Sequence, residues 1–467
     1  MTIPRCGRWR RAASRKPRAA SLLLAALLFF AAAARADDGR YQDYPVGSRA
    51  LALGGAFTAL SDDPSGLFYN PAGVCDARRY NVSVSASLYG VERSSRNGRI
   101  DLGTSTFTLN TINVIPGEAG FLKGIGPLDA RGTPLAIGFD VSVPSFRSYG
   151  SDADETAGNL RRQLHSRVLD RTFVLAAGGA LRVTEHWNIG FALQYNLRLF
   201  EQVEDSLVTG SGPDPSVGVY HAAASFQNGE LVPVLGAKFR LDDHWRFGAS
   251  IGLPGVELHS AGKVNVQDVI TDVSLPPGQQ TTVRIYDEAD RIKSHTPVPL
   301  VVRVGAAHVE PGKWTLTGDL SFHAGASYNR FEIPDASVAS RLRIQDFVER
   351  RPVLNLNVGG EYLLSTEWSV ALGAFTNHSG ASQLDADATG ALKPGSSRLP
   401  NLNLYGGTAT LGMIGVHSIS RAGVSVAYGG GEDALPADQL DISSTSYQRT
   451  QVHQLFLYFF LASTFRY

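Results

Sequence analysis

The feature that most constrains this chain is alternation with period two. Leu135, Ile137, Phe139, Val141 and Val143 interleave with Ala136, Gly138, Asp140 and Ser142. Trp187, Ile189, Phe191, Leu193, Tyr195, Leu197 and Leu199 interleave with Asn188, Gly190, Ala192, Gln194, Asn196 and Arg198. Val82, Val84, Ala86 and Leu88 alternate with serines, and Leu354, Leu356 and Val358 with Asn355, Asn357 and Gly359. Successive side chains of a strand point to opposite faces, so each stretch has one apolar and one polar or small face. A soluble sandwich alternates over shorter strands. Runs of about ten residues match what a tilted strand needs to cross the hydrocarbon of a bilayer.

The strand pattern places strands near 81–92, 105–115, 134–143, 171–183, 187–199, 231–241, 245–253, 298–309, 314–323, 353–364, 368–376, 403–417, 422–430 and 453–467. This is an even set of 14, as a bacterial barrel with both ends on one side requires. Trp187, Trp245, Trp314 and Trp368 each follow a short charged turn and open a strand. Indole favours the membrane–water interface, so the four read as one rim of an aromatic girdle. The long polar segments 144–170, 200–230, 254–297, 324–352, 377–402 and 431–450 fall on the opposite side, as external loops. One turn on the tryptophan side, 116–133, is unexpectedly long. In the last strand Leu455, Leu457, Phe459, Leu461, Phe465 and Tyr467 share one parity. An aromatic ending at Tyr467 is the expected signal for the barrel-assembly machinery.

The first residues read differently. Arg5 to Arg18 carry seven basic side chains and no acid, Leu22 to Ala34 is unbroken and apolar, and Ala34-Arg35-Ala36 follows. This is the pattern of a cleaved secretory signal peptide over 1–36. Its 13 apolar residues are too few for a helical span, which needs roughly 20. The leader holds eight of the 43 basic residues, which leaves 35 against 43 acidic ones, a net of −8. That excludes a basic footprint for nucleic acid. Cys75 alone remains after cleavage and cannot form an internal disulfide.

Residues 37–80 do not alternate. They carry Gly54-Gly55-Ala56, Asp62-Asp63-Pro64-Ser65 and Asn70-Pro71-Ala72-Gly73. Ser61 or Asp62 is positioned to cap a helix starting near Pro64. This stretch resembles the N-terminal hatch of the FadL family of long-chain fatty-acid and hydrophobic-compound transporters. The resemblance implies a 14-stranded barrel over 81–467, plugged by residues 37–80. It implies passive uptake of hydrophobic solutes across the outer membrane of a Gram-negative bacterium. It also implies a gate in which Asn70, Pro71, Ala72 and Gly73 meet a kinked third strand, for which Gly138 is the candidate bend. The same stretch is similar to PorV-like barrels, which serve type IX secretion, so a secretion accessory or structural barrel is the second function in view. Either role makes the chain a monomer whose partners are the lipid bilayer and lipopolysaccharide. A hydrophobic small-molecule ligand is added in the first.

No catalytic constellation stands out. The histidines are scattered, and His323 and His453 have no spacing that supports a triad. Asp152, Asp154 and Glu155, and Asp385 with Asp387, could offer oxygen ligands to calcium, but neither set completes an EF-hand, and solvated loop is the expected reading. Gly429-Gly430-Gly431 lacks a phosphate-loop lysine and reads as a turn. No metal, cofactor or enzymatic activity is expected.

Overall fold

The computed structural model describes residues 40–467, apart from 78, 101–102, 114–115, 130, 158, 211–215, 273–281, 334–346, 394–396 and 437–446. The leader lies outside the described residues. No described helix is long and apolar enough to cross a membrane.

The wall is a closed antiparallel barrel of 14 strands. Strand 1 is Tyr80–Ile100, strand 2 Gly103–Asn113 continued by Pro116–Ile125, and strand 3 Leu135–Ala157. Strands 4, 5 and 6 are Leu160–Arg182, Trp187–Gly210 and Ser216–Arg240. Strand 7 is Trp245–Gly252 continued by Val256–Asp272, and strand 8 is Thr282–Ile292 continued by Val301–Glu310. Strands 9 to 14 are Trp314–His323, Val353–Leu363, Trp368–Asn377, Asn401–Ile414, Ser418–Pro436 and Tyr447–Arg466. Strand 14 pairs back onto strand 1, from Asn81 with Arg466 to Asn97 with Gln451, and this closes the ring.

The faces explain why these sequences fold this way. On strand 3, Ile137 and Phe139 are 48% and 53% exposed, while Asp140 and Ser142 are fully buried. The apolar row points out and the polar row points in, the reverse of a water-soluble protein. Closure also removes the free sheet edge that such an apolar row would otherwise present.

Three of the four tryptophan turns share one device. Thr184 Oγ1 accepts from the N–H groups of His186 and Trp187 at 3.2 and 3.0 Å. Asp242 Oδ1 accepts from His244 and Trp245 at 2.8 and 2.6 Å, and Ser365 Oγ from Glu367 and Trp368, both at 3.1 Å. A short polar side chain thus satisfies two turn donors and starts the next strand at tryptophan. At Gly312, φ is +73°, which makes the fourth turn, before Trp314, a glycine turn. The four indoles lie at one rim, half-exposed.

The structure corrects two boundaries. The 116–133 segment is not a long turn: Pro116–Ile125 is wall, paired with strands 1 and 3. Much of 144–170, 200–230 and 254–297 is not loop. Strands 3 to 6 are 23, 23, 24 and 25 residues long. At ~3.3 Å per residue that is about 75–80 Å of strand, far more than a bilayer needs. Beyond the bilayer no lipid enforces an apolar outer row, so the alternation fades although the ladder continues.

Candidate functional site

Residues 40–77 form short helices at Ser48–Ala52 and Gly66–Tyr69 and a 3₁₀ segment at Pro71–Asp76. Asn70 starts the last of these: its backbone is extended (φ −154°), its Oδ1 accepts from Ala72 N–H at 3.1 Å, and Pro71 supplies the first-turn φ. Neither Ser61 nor Asp62 caps the Gly66 helix. Asp63 holds its start instead, accepting from Ser65 N–H and from Ser65 Oγ at 3.0 and 2.5 Å.

Inward-facing side chains bond this segment from around the wall. Gln194 donates to Leu67 O at 3.1 Å, Ser250 to Tyr69 O at 2.6 Å, Asn357 to Gly54 O at 2.6 Å and Thr408 to Ala52 O at 3.3 Å. Asp319 Oδ2 accepts from Phe57 and Thr58 N–H, both at 2.7 Å. Arg49 lies between Asp62 (2.7 Å) and Glu361 (3.2 Å), and Asp76 meets Lys238 (2.9 Å) and Arg240 (3.0 Å). Burial alone would raise the Asp62 carboxyl, but Arg49 with Arg466 and Lys238 holds it far below the usual carboxylate range. Phe57, Leu53, Leu60, Leu67 and Val74 are fully buried, each worth about 1.5–3 kcal/mol of apolar burial.

Asn70, Pro71 and Ala72 seat on strands 5 and 6. Asn70 Nδ2 donates to Thr58 O at 2.9 Å and to Ala237 O at 3.0 Å. Gly190 and Gly236 face the piece, and a Cβ at either would overlap Ala72 N or Asn70 Oδ1. Gly73 packs under Ser61.

The third strand is interrupted, but not at Gly138, which pairs in regular register with Leu122 and Gly178. The register shifts between Ser142 and Ser145, at Val143-Pro144. Proline has no N–H to give a neighbour. Among the described residues the ladder between strands 2 and 3 ends at Glu118 with Ser142. The Pro144 carbonyl turns to the N-terminal segment and accepts from Asp43 and Tyr44 N–H at 2.9 and 3.2 Å. Asp43 also pairs with Arg147 (2.8 Å) and Arg40 (3.3 Å), and Tyr44 Oη bonds Phe146 O and Tyr458 Oη, both at 2.9 Å. The N-terminal segment thus bonds the interruption of strand 3 through Asp43-Tyr44, whereas Asn70 bonds Ala237 of strand 6.

A cavity of about 140 Å³ lies beside this interruption. Its lining includes Arg40, Arg147, Arg198, Arg303 and Arg350 together with Phe68, Pro144, Val174, Val232, Val234 and Val301. Arg303 stacks over Phe68 (5.2 Å) and Tyr69 (5.9 Å) and forms no ion pair among the described residues. A smaller, mainly apolar pocket of about 40 Å³ sits under the interruption, lined by Val143, Tyr44, Val46, Leu51, Tyr458 and Phe460. None of Asp43, Pro144, Arg303 or Asp319 stood out in the sequence. The available signal was an inward parity occupied by a charge, as in Asp319 between Gly318 and Leu320.

The remaining residues fall as follows. Tyr467 exchanges backbone hydrogen bonds with Tyr80, both 2.9 Å, and stacks on His417. Asp385 pairs with Lys393 at 2.7 Å, and Asp387 closes its own turn on Thr389 and Ala391. The side chains of Asp152, Asp154 and Glu155 lie outside those described. His323 is buried and stacked on Tyr41, and His453 is stacked on Tyr428. Gly429-Gly430-Gly431 lies within strand 13 rather than in a turn. Cys75 is buried, and burial pushes its thiol up to about 12, so it is inert.

These features define the class: a closed 14-stranded antiparallel barrel with an interrupted third strand and an N-terminal segment bonded to its inward face. Among solved structures that fold is shared with a FadL homologue from Pseudomonas aeruginosa, at TM-score 0.59 and 12% identity over 92% of this chain and 99% of that one. It is shared also with the toluene transporter TodX from P. putida, at TM-score 0.54 and 11% identity over 91% and 99%. No protein-family model matches the sequence, and no curated protein matches it.

Proposed function

We propose that this chain is a passive outer-membrane channel for hydrophobic solutes, in which residues 37–80 are the plug and the solute leaves sideways past strand 3. The observation that carries this reading is the interruption at Val143-Pro144, next to a cavity and fastened to the N-terminal segment through the Pro144 carbonyl. A solute entering the cavity meets a mixed lining of charged and apolar side chains, then a stretch of wall with no strand 2–3 ladder among the described residues. A shift at Asp43-Tyr44 releases the bulge and opens a path into the bilayer. No step requires an energy source. Arg40, Arg147 and Arg198 are paired with Asp43 and Asp170, but Arg303 has no ion pair among the described residues, so it suits a solute with an apolar body and an anionic head, such as a long-chain fatty acid, as the group that would receive the carboxylate. The neighbours named for toluene transport support the wider class of hydrophobic solutes. The bare apolar outer face and the tryptophan rim support an outer-membrane setting.

The test is uptake into proteoliposomes of a fluorescent long-chain fatty acid and of toluene, with and without a cross-link joining residues 44 and 458. Entry of either compound, abolished by the cross-link, is expected. No uptake of any hydrophobic compound would overturn the reading. One observation favours the alternative of a secretion accessory or structural barrel: the cavity reaches Phe68 but not Asn70 or Pro71, and the lumen around them is filled with polar contacts. Uptake decides between the two.

A further inference from the structure

The connector that lines the cavity before strand 8 resumes is covered by a second strip of chain. Ser294 bridges to Phe331, His295 N–H donates to Arg330 O at 2.9 Å, and Glu332 N–H to Lys293 O at 2.9 Å. This seats Phe331, 2% exposed, edge-on against Phe226 at 5.9 Å, with Phe226 stacked on Phe200 at 4.9 Å. Phe200 and Phe226 are the next inward residues beyond Arg198 and Asn228, which line the cavity. Phe331 thus packs on the aromatic pair that lies beyond the cavity on the side away from the tryptophan rim.

His295 sits in this seam with both ring nitrogens engaged. Nδ1 is 2.9 Å from Glu257 Oε2, and Nε2 is 2.8 Å from Glu332 Oε1. A neutral imidazole has one N–H and would turn a lone pair toward one of these carboxylates. Two contacts of this kind require the imidazolium. The other charged groups around the ring are Glu230 of strand 6 and Lys293, with Arg350 beside Glu230. The ring is about one-third exposed (32%), so it exchanges protons with solvent.

We propose that His295 is a proton-operated catch: protonated, it ties strand 7 to the 330–332 strip and holds Phe331 on the aromatic pair, and on losing its proton it lets the strip lift. The inference rests on the uptake reading for its purpose only. Burial pulls the imidazole down, but its bonds to Glu332 and Glu257 outweigh that and raise its pKa above the ordinary histidine value. A group raised in the closed state stabilises closure below its open-state pKa. That stabilisation is lost as pH rises through the closed-state value. The strip thus lifts toward alkaline pH.

The test uses the full chain in detergent micelles with Cys75→Ala and a single thiol introduced by Ala224→Cys, in the cluster under Phe331. The rate of reaction with a water-soluble maleimide is measured from pH 6 to pH 9, with His295 intact and with His295→Ala. The ratio of the two rates cancels the ionisation of the thiol itself. The ratio should lie below one at pH 6 and rise toward one at pH 9, as the closed-state stabilisation is lost with the proton. Glu332→Gln should move the midpoint to lower pH, and it carries the same test if His295→Ala does not fold. A ratio independent of pH, or equal rates at pH 6, would overturn the catch. Solute uptake is not read, so failure of the transport reading leaves this result intact.

Discussion

Residues 47–77 fill the part of the lumen beside the tryptophan rim, with wall glycines against their backbone, whereas the part beyond Tyr69 holds a cavity of about 140 Å³ among arginines and valines. The filled part is fastened by hydrogen bonds to strands 5, 6, 7, 9, 10 and 12 and by ion pairs to strands 6 and 10. The hollow part touches the N-terminal segment mainly through Arg40 to Tyr44. One chain segment thus serves two mechanical roles. Its second half is fixed, and its first half is joined to the interruption of strand 3. In the proposed channel, movement at Asp43-Tyr44 opens the wall while residues 47–77 stay in place as the seal.

The largest effect should come from breaking the seal. In Gly373→Val the new side chain would overlap the backbone of Leu53 and Gly54. The segment has to leave its seat, and planar-bilayer recordings should change from closed to a large steady conductance. Next comes the interruption. Pro144→Val restores an N–H that strand 2 can accept, so fatty-acid uptake should fall by about tenfold while conductance stays closed. Unchanged uptake would place the exit elsewhere. Third, Arg303→Met removes a charge-assisted contact worth about 1.5–3 kcal/mol to an anionic head. Binding of a fatty acid, followed by calorimetry, should weaken at least tenfold, and toluene uptake should not change. The smallest effect is on the fixed half in acid. Asp62 is depressed in the folded state, so its contribution is complete above the unfolded carboxylate value of about 3.9 and is lost as pH falls below it. Protease cleavage within 47–77 should become measurable below about pH 4, and Asp62→Asn should remove that pH dependence.

The sequence made the wall legible where lipid imposes the pattern. Ile189 and Phe191 must face hydrocarbon, and Asn188 and Gly190 must not, so period two survives there. It failed at Pro116–Ile125 because that part of strand 2 faces the N-terminal segment. Gly120 lies against Pro64 and Asp140 and must lack a side chain, and the inward row of Glu118, Gly120, Leu122 and Gly124 mixes charge, glycine and leucine instead of reading as a polar row. Pro144 was hidden for another reason. Proline reads as a strand end, and only the ladder beyond it, from Ser145 with Thr172 to Ala157 with Leu160, shows the strand resuming. The tryptophan turns were legible because one polar side chain at a fixed offset builds each of three. The anchoring of the N-terminal segment was not, because Asp319, Asn357 and Thr408 are far from it in sequence.

The glycine seats also bear on how the barrel is made. Leu53 and Gly54 lie against Gly359 and Gly373, and Ala72 lies against Gly190, with no room for a methyl group between them. Such close seats are filled most simply before the cylinder is finished. In that order the sheet wraps the segment as it curls, before strand 14 zips onto strand 1. Its apolar residues then act as the mandrel on which the ring is drawn closed.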